Sequence, residues 1–488
     1  MKLTWKTISL IIGTNAISAT SVGTGIKLLN NKSQKIESID LSTLVINKDL
    51  GWINESDKTL EKLILLIKQK NPKIDIDFSK LDLVIKDNTV IIKPIKNDKT
   101  YKNQIAFTFY IPTSEEIVIN KIKSIWDLEF KDRFRVKNKW GLPSKKTILK
   151  TLSDRLIKNK LNNIKIDYLE DSLKETEPKE NENLKFIYNG DIIELNIGLF
   201  NTSKTKHKYK DSTKKEVTEI GYFINEKGVF QIHKFNWNTE IVTSLLPSII
   251  TDLSEAFKRN KHQVIKGIEY WDTSNVTSME RMFQSATEFN SDISRWNTSK
   301  VTNMQNMFSV AENFNQNIST KEIKNSDGSS YIAWDTSNLI HMNSMFSSAK
   351  NFNGDISNWD VSNVTEMYGI FMNSLSFNQP LNNWDVSNVT DMSSLFMSAK
   401  SFNQDLNNWD VSNVTLMEAM FYDAENFNGD ISNWDTSNVT NMYVMFDEAK
   451  NFGQDLSRWN VDNVIYPFYI DNNKLKPEQL PRFKKQLE

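Results

Sequence analysis

Eight tryptophans stand at Trp271, Trp296, Trp334, Trp359, Trp384, Trp409, Trp434 and Trp459, and every gap is 25 residues except one of 38. The long gap is one period plus a 13-residue insertion. A fixed period of this length marks a chain that stacks one small unit on the next. Such an array presents a long surface, and each unit touches only its neighbours. Binding, not catalysis, is the expected role.

One unit, Trp359 to Asn383, reads WDVSNVTEMYGIFMNSLSFNQPLNN. Twelve residues past each Trp but the last stands a phenylalanine, from Phe283 to Phe446, and eighteen past stands another, from Phe289 to Phe452. A methionine always sits eight past, from Met279 to Met442. In the first unit the apolar positions are Val276, Met279, Met282, Phe283 and Ala286, and their spacing of three and four predicts a helix of about three turns. Ser274, Asn275 and Thr277 are the N-cap candidates. The next run, as in Phe427 to Trp434, is short and rich in Asn, Gly and Asp, which predicts a tight turn and one short strand.

The expected fold class is therefore α+β. A C-terminal leucine-rich-repeat-like solenoid, one helix and one short strand per 25-residue coil, follows small α+β modules and an N-terminal hydrophobic segment. Helices need about 10 Å of stack and strands roughly 4.8 Å, so such a stack curves with its helices outside. The Asn after each second Phe (Asn290, Asn315, Asn353, Asn378, Asn403, Asn428) suggests a ladder bonding the backbone of adjacent coils, broken at Gly453. Ile250, Leu253, Ala256 and Phe257 repeat the inward pattern in a degenerate first coil that starts near Pro247. After Val464 the pattern dissolves. The array thus spans 247–465, and 466–488 form a cap and charged tail.

The strings WDTSNVTSMERMFQSATEFN, WDVSNVTEMYGIF and WDTSNVTNMYVMFDEAKNF resemble the BspA-like leucine-rich-repeat surface proteins abundant in mycoplasmas. The resemblance covers about residues 247–465, and the segment from Ile220 to Phe257 looks like the lead-in that those proteins place before the array. It implies surface exposure and binding to host or neighbouring molecules. It names no ligand.

Net charge is −1 overall but unevenly spread. From Trp271 to Ile465 there are 24 acidic and 9 basic side chains, a net of −15, against 37 acidic and 51 basic elsewhere, a net of +14. An acidic array argues against nucleic acid as its ligand, because phosphate binding needs the opposite sign. Cysteine is absent, which removes disulfides, thiolate metal sites and a lipid-modified N-terminal cysteine.

Lys2 and Lys6 precede twenty uncharged residues, Thr7 to Ile26, so 1–31 reads as a signal peptide or an N-terminal membrane anchor. Export to the cell surface or beyond is the expectation, with membrane contact through this segment if it is retained. Two α+β modules, 38–135 and 136–246, are expected between it and the array. The first holds a helix over Leu60–Gln69, a hairpin around Asp87-Asn88 and a strand over Ile105–Ile111. The second holds a helix over Ser144–Lys160 and strands near Leu184–Tyr188, Asp191–Leu199 and Glu219–Ile224.

No catalytic, cofactor or metal site is expected. The four histidines, His207, His233, His262 and His341, are scattered, and no metalloprotease, nucleophile-elbow, phosphate-loop or dinucleotide motif occurs. The periodic aspartates (Asp355, Asp405, Asp430, Asp455 and Asp360, Asp385, Asp410, Asp435) serve turns better than Ca²⁺, since Asn297 and Asn460 replace two of the second series. Nine and thirteen past Trp, where a helix would offer Lys, Glu or Gln to solvent, stand Tyr368, Met372, Met397, Tyr422 and Tyr443. These five form the candidate docking strip, because Tyr and Met are enriched where proteins meet. The sequence thus points to a surface-exposed, adhesin-like protein that binds a protein or other macromolecule on host or neighbouring cells. A structural spacer without a ligand is the alternative, and an enzyme within 38–244 is the reading with least support.

Overall fold

The computed structural model describes residues 38–44, 46–73, 75–135, 141–159, 161, 167–168, 176–325, 327–468 and 475–483. The expected hydrophobic segment, 1–31, lies outside the described residues, as does part of the 466–488 tail. The chain divides into two compact units, Met1–Lys123 and Ser124–Glu488.

In the first unit, alternation of apolar and polar residues builds a four-stranded sheet in the order Asp49–Trp52, Ile105–Tyr110, Thr89–Pro94, Leu81–Lys86. The first pair is parallel and the others antiparallel. Ile105, Phe107 and Phe109 point into the core and the residues between them point out, the period-two pattern of a half-buried strand. Asp87 makes the hairpin turn at φ 50°, a left-handed conformation that Asp tolerates. Helix Leu60–Lys70 buries Leu63 and Ile67 and starts at Thr59, whose side chain accepts from the Lys62 N–H. The helix Ser114–Ile125 was not expected, because its Ile-Val-Ile run favours a strand. A capping box decides it: Glu116 N–H donates to Thr113 Oγ1 at 3.1 Å, and Thr113 N–H donates to Glu116 Oε2 at 2.9 Å.

The second unit opens with a wide helical turn, Trp126–Phe130, and then carries helix Lys145–Lys158, capped by Ser144 and burying Ile148, Leu149, Leu152 and Leu156. A three-stranded sheet follows, Asp167–Tyr168, Asn183–Tyr188 and Asp191–Asn196. Arg155 holds Glu129 through two bonds of 2.7 Å. The hairpin Tyr222–Ile224 with Phe230–Ile232 then hands over to the repeats. Parallel bridges pass from Gln231 to Asp252, Ser278, Asn303 and His341, and again from Glu366 to Asp391, Leu416, Asn441 and Tyr466.

The coils stack on columns of buried rings. Along the phenylalanines twelve past Trp, centroids lie 5.5–5.8 Å apart with planes within 8° from Phe257 to Phe446. The column extends backward through Phe235 to His207 and ends forward on Phe468, which meets Phe446 edge-on at 5.1 Å. Ordered stacking therefore starts before the degenerate coil at Pro247. A second column runs from Phe289 to Phe452 at 5.7–6.0 Å. Each Trp indole N–H donates to a backbone carbonyl of the coil before it, as Trp409 does to Leu381 at 2.8 Å.

The expected helix is not there. Val276, Met279, Met282, Phe283 and Ala286 are all buried, but the backbone carrying them is a chain of turns. In the Trp359 coil the N–H groups of Met367, Gly369, Phe371 and Asn373 donate to the carbonyls of Asp391, Ser393, Leu395 and Met397 in the next coil, at 2.7–3.0 Å. Between them, Met372 and Ser374 N–H close turns onto Gly369 and Phe371. These turns need positive φ ten and fourteen residues past Trp: 59° at Gly369 and 57° at Asn373, 55° at Ser394 and 53° at Ser398. Ser, Asn, Gly and Asp dominate those places, small residues that suit turns better than helices.

Among the described residues the expected strand per coil is absent too, and the Ser-Asn-x-Thr run starts no helix. Its Asn instead bonds coil to coil: Asn363, Asn388, Asn413 and Asn438 Nδ2 donate to Ser337, Ser362, Ser387 and Ser412 carbonyls at 2.7–2.8 Å. Without helices, the difference in layer thickness that would curve the stack is gone. Within the repeats the described strands are Lys321–Lys324 and Ser330–Ala333, a hairpin that makes up most of the 13-residue insertion.

Candidate functional site

The core positions of each coil are filled by Trp, Val, Met, Phe and Ala, so the outer surface is set by the residues between them. Met372, Met397 and Tyr422 occupy one outward column on three consecutive coils. Their backbones are in register, since Asn373 N–H donates to the Met397 carbonyl and Ser398 N–H to that of Tyr422, at 2.7 and 2.6 Å. All three are half-buried. Tyr368, 43% exposed, stands on the same coil as Met372.

Tyr443, 52% exposed, is not part of that group. Ser393 and Glu418 fill the two intervening places of the Tyr368 column, so three coils, about 14 Å at strand spacing, separate the tyrosines. Tyr443 has other company. The bridge Asn441↔Tyr466 brings exposed Ile465 and Tyr466 beside its coil. Sequence periodicity missed this because Ile465 and Tyr466 lie where the repeat pattern has ended. It also missed Leu375, 37% exposed, on the coil of Tyr368 and Met372. Leu375 interrupts a charge column in which Lys350 meets Glu312 at 2.9 Å and Glu425 meets Lys400 at 2.8 Å and Lys450 at 3.3 Å. Hydrogen bonds from the two lysines hold the Glu425 carboxyl below its ordinary range.

Next to this charge column runs a polar edge, an amide ladder. The N–H groups of Asn315, Asn353, Asn378, Asn403, Asn428 and Gly453 donate in turn to Oδ1 of Asn290, Asn315, Asn353, Asn378, Asn403 and Asn428 at 2.8–3.0 Å. Gly453 takes the last rung and has no amide to pass on. The aspartates act as turn residues: Ser362, Ser387, Ser412 and Ser437 N–H donate to Oδ1 of Asp360, Asp385, Asp410 and Asp435 at 3.0–3.1 Å. Asn297 and Asn460 accept in the same way. Each carboxylate of that series is engaged by its own loop.

His207 is buried against Phe235, with ring centroids 3.9 Å apart. Its Nδ1 accepts from the Gly221 N–H at 3.0 Å, which leaves Nε2–H to donate to the His233 carbonyl at 2.6 Å. Burial pushes its pKa down to about 3. It is a neutral strut. His341 sits on the outward face as a surface residue. Among the described residues no group of three or more His, Cys, Asp or Glu could hold a metal ion, and no helix is long and apolar enough to cross a membrane.

Stacked 25-residue coils on a shared ring core, with variable side chains outside, define a repeat protein. A family model described as a mycoplasma protein of unknown function, DUF285, matches residues 251–332, 321–418 and 401–470, three overlapping blocks that run the length of the array. No curated protein and no solved structure matches the chain.

Proposed function

We propose that this chain is an exported, surface-exposed repeat protein of the BspA-like kind, a solenoid of stacked turn-built coils that binds a macromolecule on host or neighbouring cells and catalyses no reaction. The partner is a protein, and Tyr368, Met372, Met397 and Tyr422, with Leu375, anchor it. Tyr443 marks a second contact beside Ile465 and Tyr466. The observation that supports this is the run of Met372, Met397 and Tyr422 on adjacent coils next to exposed Tyr368, in an array of net −15. An apolar and aromatic centre ringed by charge is the anatomy of a protein interface. The match to a mycoplasma repeat family supports the repeat-protein part of this reading.

Two measurements test it. Protease shaving of intact cells is expected to cleave the repeats while the membrane stays sealed, and protection would place the chain inside. The triple variant Tyr368→Ser, Tyr422→Ser, Tyr443→Ser is expected to melt as the wild type does and to adhere at least tenfold less to host cells. Undiminished adhesion by the folded variant would sink the proposed surface.

A further inference from the structure

The amide ladder carries a feature beyond its structural role. Each rung spends only the oxygen of its side chain. Asn353 Oδ1 takes the Asn378 N–H and the Gln379 side-chain amide, and Asn378 Oδ1 takes the Asn403 N–H and the Gln404 amide, at 2.9–3.1 Å. Among the described residues the Nδ2 groups of Asn378, Asn403 and Asn428 have no hydrogen-bond partner. Because every Oδ1 is pinned from the next coil, these amino groups face the same way at the coil spacing. They line a shallow depression of about 630 Å³ with Ser401, Asn426 and Asn451. Two residues beyond Asn403 and Gly453 in the chain stand exposed Asp405 and Asp455, whose Oδ1 atoms accept from the Asp430 and Ser457 N–H groups at 2.9 Å.

A preset row of neutral donors flanked by carboxylate acceptors selects its ligand by chemistry. Phosphate or sulfate chains are repelled by the aspartates, and Lys400 and Lys450, next to lining residues Ser401 and Asn451, are paired with Glu425. A protein partner finds no apolar anchor, since the lining is all Asn and Ser. We infer that the 378–451 edge binds a neutral polysaccharide laid along the stack, its ring and hydroxyl oxygens accepting from the Asn amino groups and its hydroxyls donating to Asp405 and Asp455. A sugar hydroxyl both donates and accepts, which is what this mixed edge requires. Pinning the amides beforehand lowers the entropy cost of binding. This site borders the Tyr and Met surface, since the Ser401 N–H donates to the Leu375 carbonyl at 3.2 Å, but it uses none of the tyrosines or methionines.

The test is native electrophoresis of the full chain in gels cast with dextran, mannan or galactan, with dextran sulfate as the charged control. Retardation is expected in at least one neutral gel and not in dextran sulfate alone. The double variant Asn378→Asp, Asn428→Asp keeps an oxygen for every rung but replaces the outward donors. It is expected to need at least tenfold more polysaccharide for equal retardation, with an unchanged melting curve. Ser401→Arg, which leaves the ladder intact and fills the depression, is expected to do the same. The triple Tyr→Ser variant is expected to migrate as the wild type does, which separates this site from the protein-docking surface. No retardation in any neutral gel, retardation only in dextran sulfate, or wild-type behaviour of both edge variants would overturn the inference.

Discussion

Phe396 lies fully buried between Phe371 and Phe421 at 5.5 and 5.6 Å, with Phe402 at 3.9 Å on its own coil. Phe396→Ala removes a ring that neighbours on both sides are stacked against and leaves a cavity they cannot close. The expected loss is about 3–5 kcal/mol in urea unfolding. His207 makes a different residue-scale prediction. Its folded pKa, about 3, lies below the ordinary value of 6.5, so the unfolded chain binds the proton first. Its stabilising contribution is complete above pH 6.5 and is lost as pH falls from there toward 3. Asp252 opposes this, because burial raises its pKa and its contribution improves as pH falls. The difference between wild type and His207→Gln isolates the histidine: the variant is less stable at pH 7.5, and the gap is expected to narrow steadily between pH 6.5 and 4.5. A constant gap in thermal melts would show that His207 does not titrate in the unfolding reaction.

At the scale of elements, the coil is held by ladders more than by regular secondary structure. The insertion hairpin shows how independent those ladders are. Met304 N–H donates to the His341 carbonyl and Asn306 N–H to Asn343, 37 residues on in place of the usual 24, with the same geometry at 2.8 and 2.9 Å. The extra residues pair with one another in Lys321–Lys324 and Ser330–Ala333, and Tyr331 ties them back by donating to the Arg295 carbonyl at 2.7 Å. Deleting residues 321–333 therefore joins Thr320 to Trp334 and restores the common spacing. The shortened chain is expected to unfold in one repeat transition, with a smaller loss than Phe396→Ala. Loss of cooperative melting would mean that the hairpin, not the ladder, sets the register there.

At the scale of the whole molecule, coils that bond only to neighbours carry damage along the stack. In Phe396→Ala, amide exchange is expected to rise most between Met372 and Tyr422 and least in the sheet strands Leu81–Lys86 and Ile105–Tyr110. Equal acceleration in that sheet would contradict nearest-neighbour coupling. The inward residues, the ring columns, the Asn290 to Asn428 ladder and its end at Gly453 were legible in the sequence, because burial and side-chain chemistry recur with the period. The middle region was legible where the pattern is local, as in the helices expected over Leu60–Gln69 and Ser144–Lys160 and the hairpin around Asp87-Asn88. The backbone between Val276 and Ala286 was not. A spacing of three and four places side chains inward on a helix or on a chain of turns, and only the hydrogen-bond partner separates them. In a helix that partner is four residues away. Here Phe371 N–H finds it on Leu395, in another coil. The same non-local fact decided that Met397 lies beside Tyr422 while Tyr443 stands apart from Tyr368. Sequence alone determined which residues face the core; stacking decided how the backbone reaches them and which outward residues become neighbours.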